Sequence, residues 1–575
     1  MPKSVRDEME ERYRRDGKIT KEKLKEYVPA MLVNNLSVLL LVTVDGLVLG
    51  NLAGSDALAA VSIFYPAAVL VGVASVLVGC GAGASIAVAA GEGDFDAFRR
   101  LKGAIKRIMV VAAIVMSVVQ VPLVAAIIAS YGLDENMTAL TWQYAMGIMI
   151  ATPFGLVSTV GTYQLQATGN MRWLMGLSIA EGLVNLVLDL LFVGLLNMGA
   201  MGAGMGTACS NALRCVATVV ILAKTTDIYK TEGVKADAAA YRDVFSRGMP
   251  EALNALMLAF QNYFLMQVVL MVFGGDGGVI KSVCVFCFSL AFVLIGGVQG
   301  AMLPIMGIIA GARDWDGLRI LLGQCMKLLV ALVAALSVLV IVFPGAFYLL
   351  HGVKATMPDA ELSLRVFALH FVFKGCNTLF RQYYVSRNDS KFAAALTVAG
   401  NVLLPLFAYL LAKVAPPAFI WLSYLITEML VLAVNLWRYK RWLVQDREEV
   451  EQLVGMLSLS VSPEDAVEAS REIRRFADER GVSARVAYRV ALCMEEMVAY
   501  AAAANEHADI SMQVGVRFTS DSATFTILDD GKCIALDEDR GHQELVTNNY
   551  DLVKCIAEDV NYQYVLNLNY TIMRF

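Results

Sequence analysis

Charge is what this chain has least of. Of its 575 residues only 17% are Asp, Glu, Lys or Arg, and histidine occurs 4 times; ordinary soluble domains carry about 25% charged residues. The net charge of −5 excludes the basic face that nucleic-acid binding needs, so no nucleic-acid partner is expected. The 10 cysteines are scattered. Cys284 and Cys287 stand close together inside an apolar stretch with no second pair at metal spacing, which excludes a zinc knuckle and leaves no metal site. The first residues are charged rather than apolar, so no cleavable signal peptide is read there.

What is present is apolar. The chain is 58% hydrophobic, with a mean hydropathy of +0.60. The excess lies between residues 27 and 437, in runs at approximately 28–50, 57–90, 104–131, 139–168, 174–196, 203–223, 249–273, 281–311, 320–349, 363–385, 393–413 and 417–437. A span needs about 20 apolar residues, so these runs predict 12 transmembrane helices. The predicted fold class is an all-α polytopic membrane protein of two six-helix lobes followed by a small soluble α/β sandwich. Its parts are a charged N-terminal helix at 1–26, spans one to six at 27–223, an inter-lobe loop at 224–248, spans seven to twelve at 249–437, a basic linker at 438–457 and the tail at 458–575. The 1–26 segment suits either a headgroup-bound helix or a solvated charge run.

Basic residues set the orientation. Arg99, Arg100, Lys102, Lys106 and Arg107 crowd one loop, the 224–247 loop is basic, and so is the stretch after Trp437. The alternate loops, NLAGSD, LDENMT and LNMGAM, are nearly free of Lys and Arg. The positive-inside rule therefore predicts a plasma-membrane protein with both termini cytoplasmic and lipids as its surroundings. The halves also repeat. GEGDFDAFRRL at 91–101 matches GARDWDGLRIL at 311–321, an offset of 220, and ATGNMRW at 167–173 matches SRNDSKF at 386–392, an offset of 219. Parallel repeats of this kind place a cavity at their interface and work by rocking.

The two lobes differ in their buried acids. Span one, YVPAMLVNNLSVLLLVTVDGLVLG, carries Asp45 near its far end, with Asn34 on nearly the same face. Span five carries Glu181, Asn185 and Asp189 at i, i+4 and i+8, hence on one helix face. In the second lobe Asn401 matches Asn185 and Pro405 stands where the acid would be, so proton chemistry is expected in the first lobe alone. Asp45 and Asp189 fall at similar depths, roughly 8 and 10 Å from the outer end at ~1.5 Å per residue. Two carboxylates in one apolar pocket cannot both ionise cheaply, which suits a proton; the same oxygens with Asn185 also suit Na⁺. Arg214 on span six is level with Asn185 and is able to pair with Glu181 or Asp189. Tyr163, Gln164, Arg214, Gln261 and Asn262 are candidate cavity residues.

VDGLVLGNLAGSDALAAVSIFYP, GEGDFDAFRR, QATGN and NLVLDLLFVGLLNMGAMGAGMGTA, in this order and spacing, resemble the multidrug and toxic compound extrusion (MATE) family. The resemblance covers about 30–445. It implies a two-lobe antiporter, coupled to H⁺ or Na⁺, that exports amphipathic or cationic organic compounds, with the family's helix-one acid on Asp45 and its helix-five Asn and Asp on Asn185 and Asp189. It implies a transporter rather than an enzyme, with a small organic substrate.

The tail resembles the small GHKL ATPase domain of anti-sigma-factor kinases. ALCMEEMVAY places Glu496 on that family's catalytic Glu and Tyr500 on its magnesium-binding Asn; LDDGKCI places Asp529 on the adenine-reading Asp and keeps Gly531, with Cys533 on a second Gly. Asn549 and Asp551 stand where a glycine-rich lid is expected. An Asp there repels phosphate and blocks the backbone approach that glycine allows. The resemblance thus implies a degenerate domain without an ATP cofactor, retained for regulation or for a cytoplasmic protein partner. Two other functions compete: a membrane-anchored signalling protein acting through the tail, and a lipid-linked-precursor flippase.

Overall fold

A computed structural model describes residues 17–225, 236–350, 359–452, 455–505, 510–519, 521–533 and 551–575. The first lobe is built from α1 (Lys18–Leu52), α2 (Ser55–Glu92), α3 (Phe95–Tyr131), α4 (Glu135–Ala167), α5 (Met171–Asp189) and α6 (Gly199–Thr225). The second has α7 (Ala238–Phe273), α8 (Asp276–Gly311), α9 (Trp315–Val342), a short α10 (Pro344–Leu350), α11 (Ala360–Ala368), α12 (Phe371–Ser386), α13 (Ser390–Val414) and α14 (Leu422–Gln452). Among the described residues 11 helices are long and apolar enough to cross a membrane.

The tenth predicted span departs from expectation. It is not one helix but two, α11 and α12, parted at Leu369–His370. His370 is buried there against Phe288 and Tyr424 and contacts the Phe367 carbonyl through Nδ1 at 2.5 Å. Three predicted boundaries also move. The described part of the 1–26 segment is continuous with α1, α7 begins inside the predicted inter-lobe loop, and α14 runs through most of the 438–457 linker. The added turns hold good helix formers that let the spanning helix continue: Lys and Glu ahead of span one, Ala and Arg ahead of span seven, and Arg, Glu and Gln after span twelve.

The repeat has a structural counterpart. Asp94 accepts a hydrogen bond from the Ala97 amide at 2.8 Å and caps α3; Asp314 accepts from the Gly317 amide at 3.0 Å and caps α9. Both are N-caps that satisfy otherwise orphaned amides at matched positions.

The lobes meet along the halves of α1, α2, α7 and α8 nearest the tail. A Cβ on Gly91 of α2 would strike the Ile308 backbone of α8, and one on Gly248 of α7 would strike the Leu77 carbonyl of α2. Small residues at such positions let transmembrane helices pack backbone to backbone. Gln166 of α4 also donates to the Gly300 carbonyl of α8 across the boundary.

The tail is an antiparallel five-stranded sheet of order β1-β2-β3-β5-β4, with β1 (Gly455–Val461), β2 (Met512–Phe518), β3 (Ala523–Asp529), β4 (Asp559–Val565) and β5 (Leu568–Arg574). Helices α15 (Ala466–Glu479) and α16 (Ala484–Ala504) cover one face, where Phe476, Val490 and Met494 pack on Val514, Phe525 and Ile527. Strand β1 was not read from the sequence. The period of two sends Leu568, Tyr570 and Ile572 to the opposite face, which packs against the membrane helices.

The β4–β5 hairpin turns through Leu566 and Asn567, both left-handed at φ 58° and 56°. Two such residues make the I′ turn that matches strand twist. The Tyr27 hydroxyl of α1 donates to the Leu566 carbonyl at 3.0 Å, and Leu566 fills the notch at Gly169, whose own φ is +80°. Gln563 and Tyr570 donate to the Ala90 and Gly91 carbonyls at the end of α2, at 3.2 and 2.9 Å. Ile308 and Ile309 of α8, with Ala312 and Asp314 of the turn that follows it, share a cleft with Ser458, Val514, Thr526 and Tyr570 of the sheet. The sheet therefore touches both lobes.

Candidate functional site: an acid pair beside a central cavity

Asp45 of α1 and Asp189 of α5 bring their carboxyl groups into hydrogen-bonding contact. Asp189 and Asn185 are each only 1% exposed. One oxygen of each carboxyl and the Asn185 amide nitrogen are buried without a protein partner among the described residues. Tyr144 of α4 lies beside the pair, and Gly206 of α6 leaves room that a Cβ would take from the Asp189 carboxylate. A π-helical turn, Leu190–Leu195, begins directly after Asp189; such turns break helix regularity and recur at functional sites. No Lys or Arg pairs with Asp45 or Asp189 among the described residues, so the two acids face each other without a built-in cation.

The remaining sequence candidates fall in separate places. Glu181, one turn above Asn185, pairs with Arg214 of α6, whose other nitrogen donates to Thr162 at 2.9 Å. That resolves the alternative left open for Arg214 and leaves Asp189 to Asp45. Asn34 accepts from the Ser178 hydroxyl at 2.6 Å and faces the central cavity, well down α1 from Asp45, rather than joining the pair.

The central cavity is about 720 Å³ and lies between the lobes. Tyr163 and Arg214 line it, as expected, while Gln164, Gln261 and Asn262 lie outside its lining. Gln164 is buried within α4. Gln261 donates to the Tyr424 hydroxyl at 3.4 Å within the second lobe, and Asn262 offers its backbone carbonyl to Lys281 at 2.9 Å.

Acids are not confined to the first lobe. Glu428 of α14 is buried with Lys374 of α12 at 2.9 Å and accepts from Asn377 at 2.7 Å. Glu251 of α7 pairs with Arg381 of α12 at 3.0 Å and accepts from Gln299 at 2.6 Å, and all three line the cavity. The difference between the lobes is pairing: each of these second-lobe acids has a base, whereas Asp45 and Asp189 have each other. Arg381 went unnoticed in the sequence, although it stands at the 219 offset from Thr162 as a charge where its repeat partner is neutral.

In the tail, Asp529 is 1% exposed, and one carboxylate oxygen, Oδ1, accepts from the Gly531 amide at 3.0 Å and from Asn569 at 2.7 Å. Burial pushes this carboxyl above the ordinary Asp range, against the pull of Asn569 and Gly531. Tyr500 is buried and Glu496 partly so. Asn549 lies outside the described residues.

The MatE family model matches residues 29–191 and 254–410. Among curated relatives, the multidrug export protein MepA of Staphylococcus aureus is 23% identical over 70% of this chain and 89% of its own length. The probable multidrug resistance protein NorM of Photorhabdus laumondii is 23% identical over 48% of this chain; the match spans 61% of that relative. Among solved structures, a MATE transporter in the straight conformation superposes with a TM-score of 0.71 at 19% identity, covering 75% of this chain and 97% of that one. An outward-facing MATE family transporter of the MOP superfamily superposes at 0.68 with the same identity and coverage. The family model covers both lobes and carries Asp45, Asn185 and Asp189 within its first segment, and by that match this multi-pass membrane protein belongs to the MatE family.

Proposed function

We propose that the chain is a secondary-active antiporter of the plasma membrane, exporting amphipathic or cationic organic compounds in exchange for H⁺ or Na⁺. The carrying observation is the unpartnered acid pair. Two carboxyl groups in contact, with no base to neutralise them, bind a cation whenever one is available: a proton shared between them, or Na⁺ held by their oxygens with Asn185. Helix α5 links the pair to the cavity, since Asp189 and the cavity-lining Glu181 lie two turns apart on one face. Cation binding at one end of α5 thus bears on cargo at the other, and rocking of the lobes about the cavity carries the exchange. Basic loops support cytoplasmic termini, and the names of MepA and NorM support multidrug cargo. The seal on the tail side is then the arrangement of an exporter turned away from the cytoplasm.

The tail fits regulation better than catalysis. Tyr500 at the magnesium-binding position and Asp551 in the place of a lid glycine argue against ATP binding and against the signalling alternative. The flippase alternative wants a net cationic cavity, and the charges lining this one balance. Everted vesicles loaded by an imposed pH or Na⁺ gradient test the antiport: one of the two gradients drives dye accumulation, and the matching ionophore abolishes it. Accumulation that survives both ionophores contradicts antiport.

A further inference from the structure

Glu428 lies inside the span formed by α14 and is 5% exposed. The Lys374 ammonium and the Asn377 amide donate to its two carboxylate oxygens at 2.9 and 2.7 Å. Asn435 donates to the Asn377 oxygen at 2.9 Å and fixes that amide. Lys374 stands in the first turn of α12, where the helix dipole opposes a cation. An apolar pair of similar volume joins two helices at less cost than a desolvated ion pair. Ionisable side chains at such depth are rare and mark substrate or ion paths.

A cleft of about 40 Å³ opens beside the pair, room for a few waters. Asn254, Gln261, Thr397 and Asn401 wall it. Asn401 commits its nitrogen to the Thr397 carbonyl at 2.8 Å, which leaves its amide oxygen as an acceptor. Carboxylate, amide and hydroxyl oxygens around a wet space are the ligands that hard cations take. Asn254 and Arg381 line both this cleft and the central cavity, so an ion has a way in. Asn401 is the repeat counterpart of Asn185, which stands by the first-lobe acids; here the carboxylate comes from α14 instead of the position that Pro405 holds. The first lobe leaves its acids to find a cation, whereas the second carries one on a side chain. Resting on the antiport reading, we propose that Glu428 and this cleft form a second Na⁺ site that Lys374 fills as a tethered cation, leaving the exchangeable cations to Asp45 and Asp189.

Binding of radiolabelled Na⁺ to the full chain in detergent tests this. With Asp45→Asn and Asp189→Asn the first-lobe acids are silent, and this background is expected to bind no Na⁺ while Lys374 is present. Adding Lys374→Ala is expected to produce saturable binding of one Na⁺ per chain. Adding Glu428→Gln as well removes it, and Lys374→Arg never gains it. Where Lys374→Ala does not fold, Lys374→Gln, closer in length, takes its place. Na⁺ binding in the background with Lys374 intact overturns the proposal, because the lysine then does not fill the site. A folded Lys374→Ala variant that takes up only a proton also overturns it, and leaves a plain buried ion pair. If the wild type moves ethidium under neither a pH nor a Na⁺ gradient, the antiport reading falls, while the Na⁺ counts still decide whether the second site exists.

Discussion

Glu181 and Asp189 are two turns apart on the same face of α5, yet one pairs with an arginine and the other faces a second acid. The i, i+4, i+8 spacing was legible because the helical period alone decides which side chains share a face. The choice of partner was not, because it depends on how α6 crosses α5 and brings Arg214 level with Glu181 rather than Asp189. Gln261 and Asn262 misled for the same reason: polarity within an apolar run says that a side chain is sheltered, not which cavity shelters it. The pairing gives a stability prediction. Arg214→Met leaves the half-buried Glu181 charge without its partner and destabilises the first lobe by about 1.5–3 kcal/mol. Adding Glu181→Leu recovers most of that loss, because an apolar pair of similar volume replaces a desolvated ion pair. Thermal unfolding in detergent, wild type against single and double variants, reads the difference.

At the scale of elements, the helix count and the doubled architecture were readable, since apolar length and the paired caps Asp94 and Asp314 are local signals. The break in the tenth span was not. FALHFVFK keeps an apolar pattern throughout, and only packing against Phe288 and Tyr424 shows that His370 sits at an interruption. Strand β1 was hidden because GMLSLSV follows a charged helical stretch and runs straight into the turn before α15; its pairing with β2 is a long-range contact. The α2–α8 seam supplies a prediction of its own. Gly91→Leu places a side chain against the Ile308 backbone, an overpacking that costs about 1–3 kcal/mol in the tail-side-closed state. In the proposed rocking cycle that state is one end, so gradient-driven efflux is expected to fall several-fold more than the yield of folded protein, measured side by side in the same vesicles.

Across the whole molecule, the tail joins what transport must separate. Tyr570 and Gln563 hold the end of α2, the Leu566 hairpin tip sits between Tyr27 and Gly169, and the same sheet lies against Ile308 and Ile309 of α8. In the proposed rocking mechanism, opening the cavity toward the tail side parts α2 from α8, and the docked tail is expected to oppose that step. A chain ending at residue 457 is expected to export several-fold faster than the intact protein at equal abundance, and Tyr570→Phe, which loses one buried hydrogen bond to Gly91, to show a smaller gain. None of this docking was visible in sequence, where the tail read as an independent domain; the alternation of Leu568, Tyr570 and Ile572 marked a second apolar face without saying what covers it.

The acid pair remains the centre of the account, and gradient-driven dye efflux with Asp45→Asn and Asp189→Asn tests it most directly. Each substitution keeps the shape of the pocket and removes one of the two charges that demand a cation. The account predicts that both variants fold, bind dye, and lose accumulation driven by the coupling gradient. Undiminished gradient-driven accumulation in either variant would contradict it.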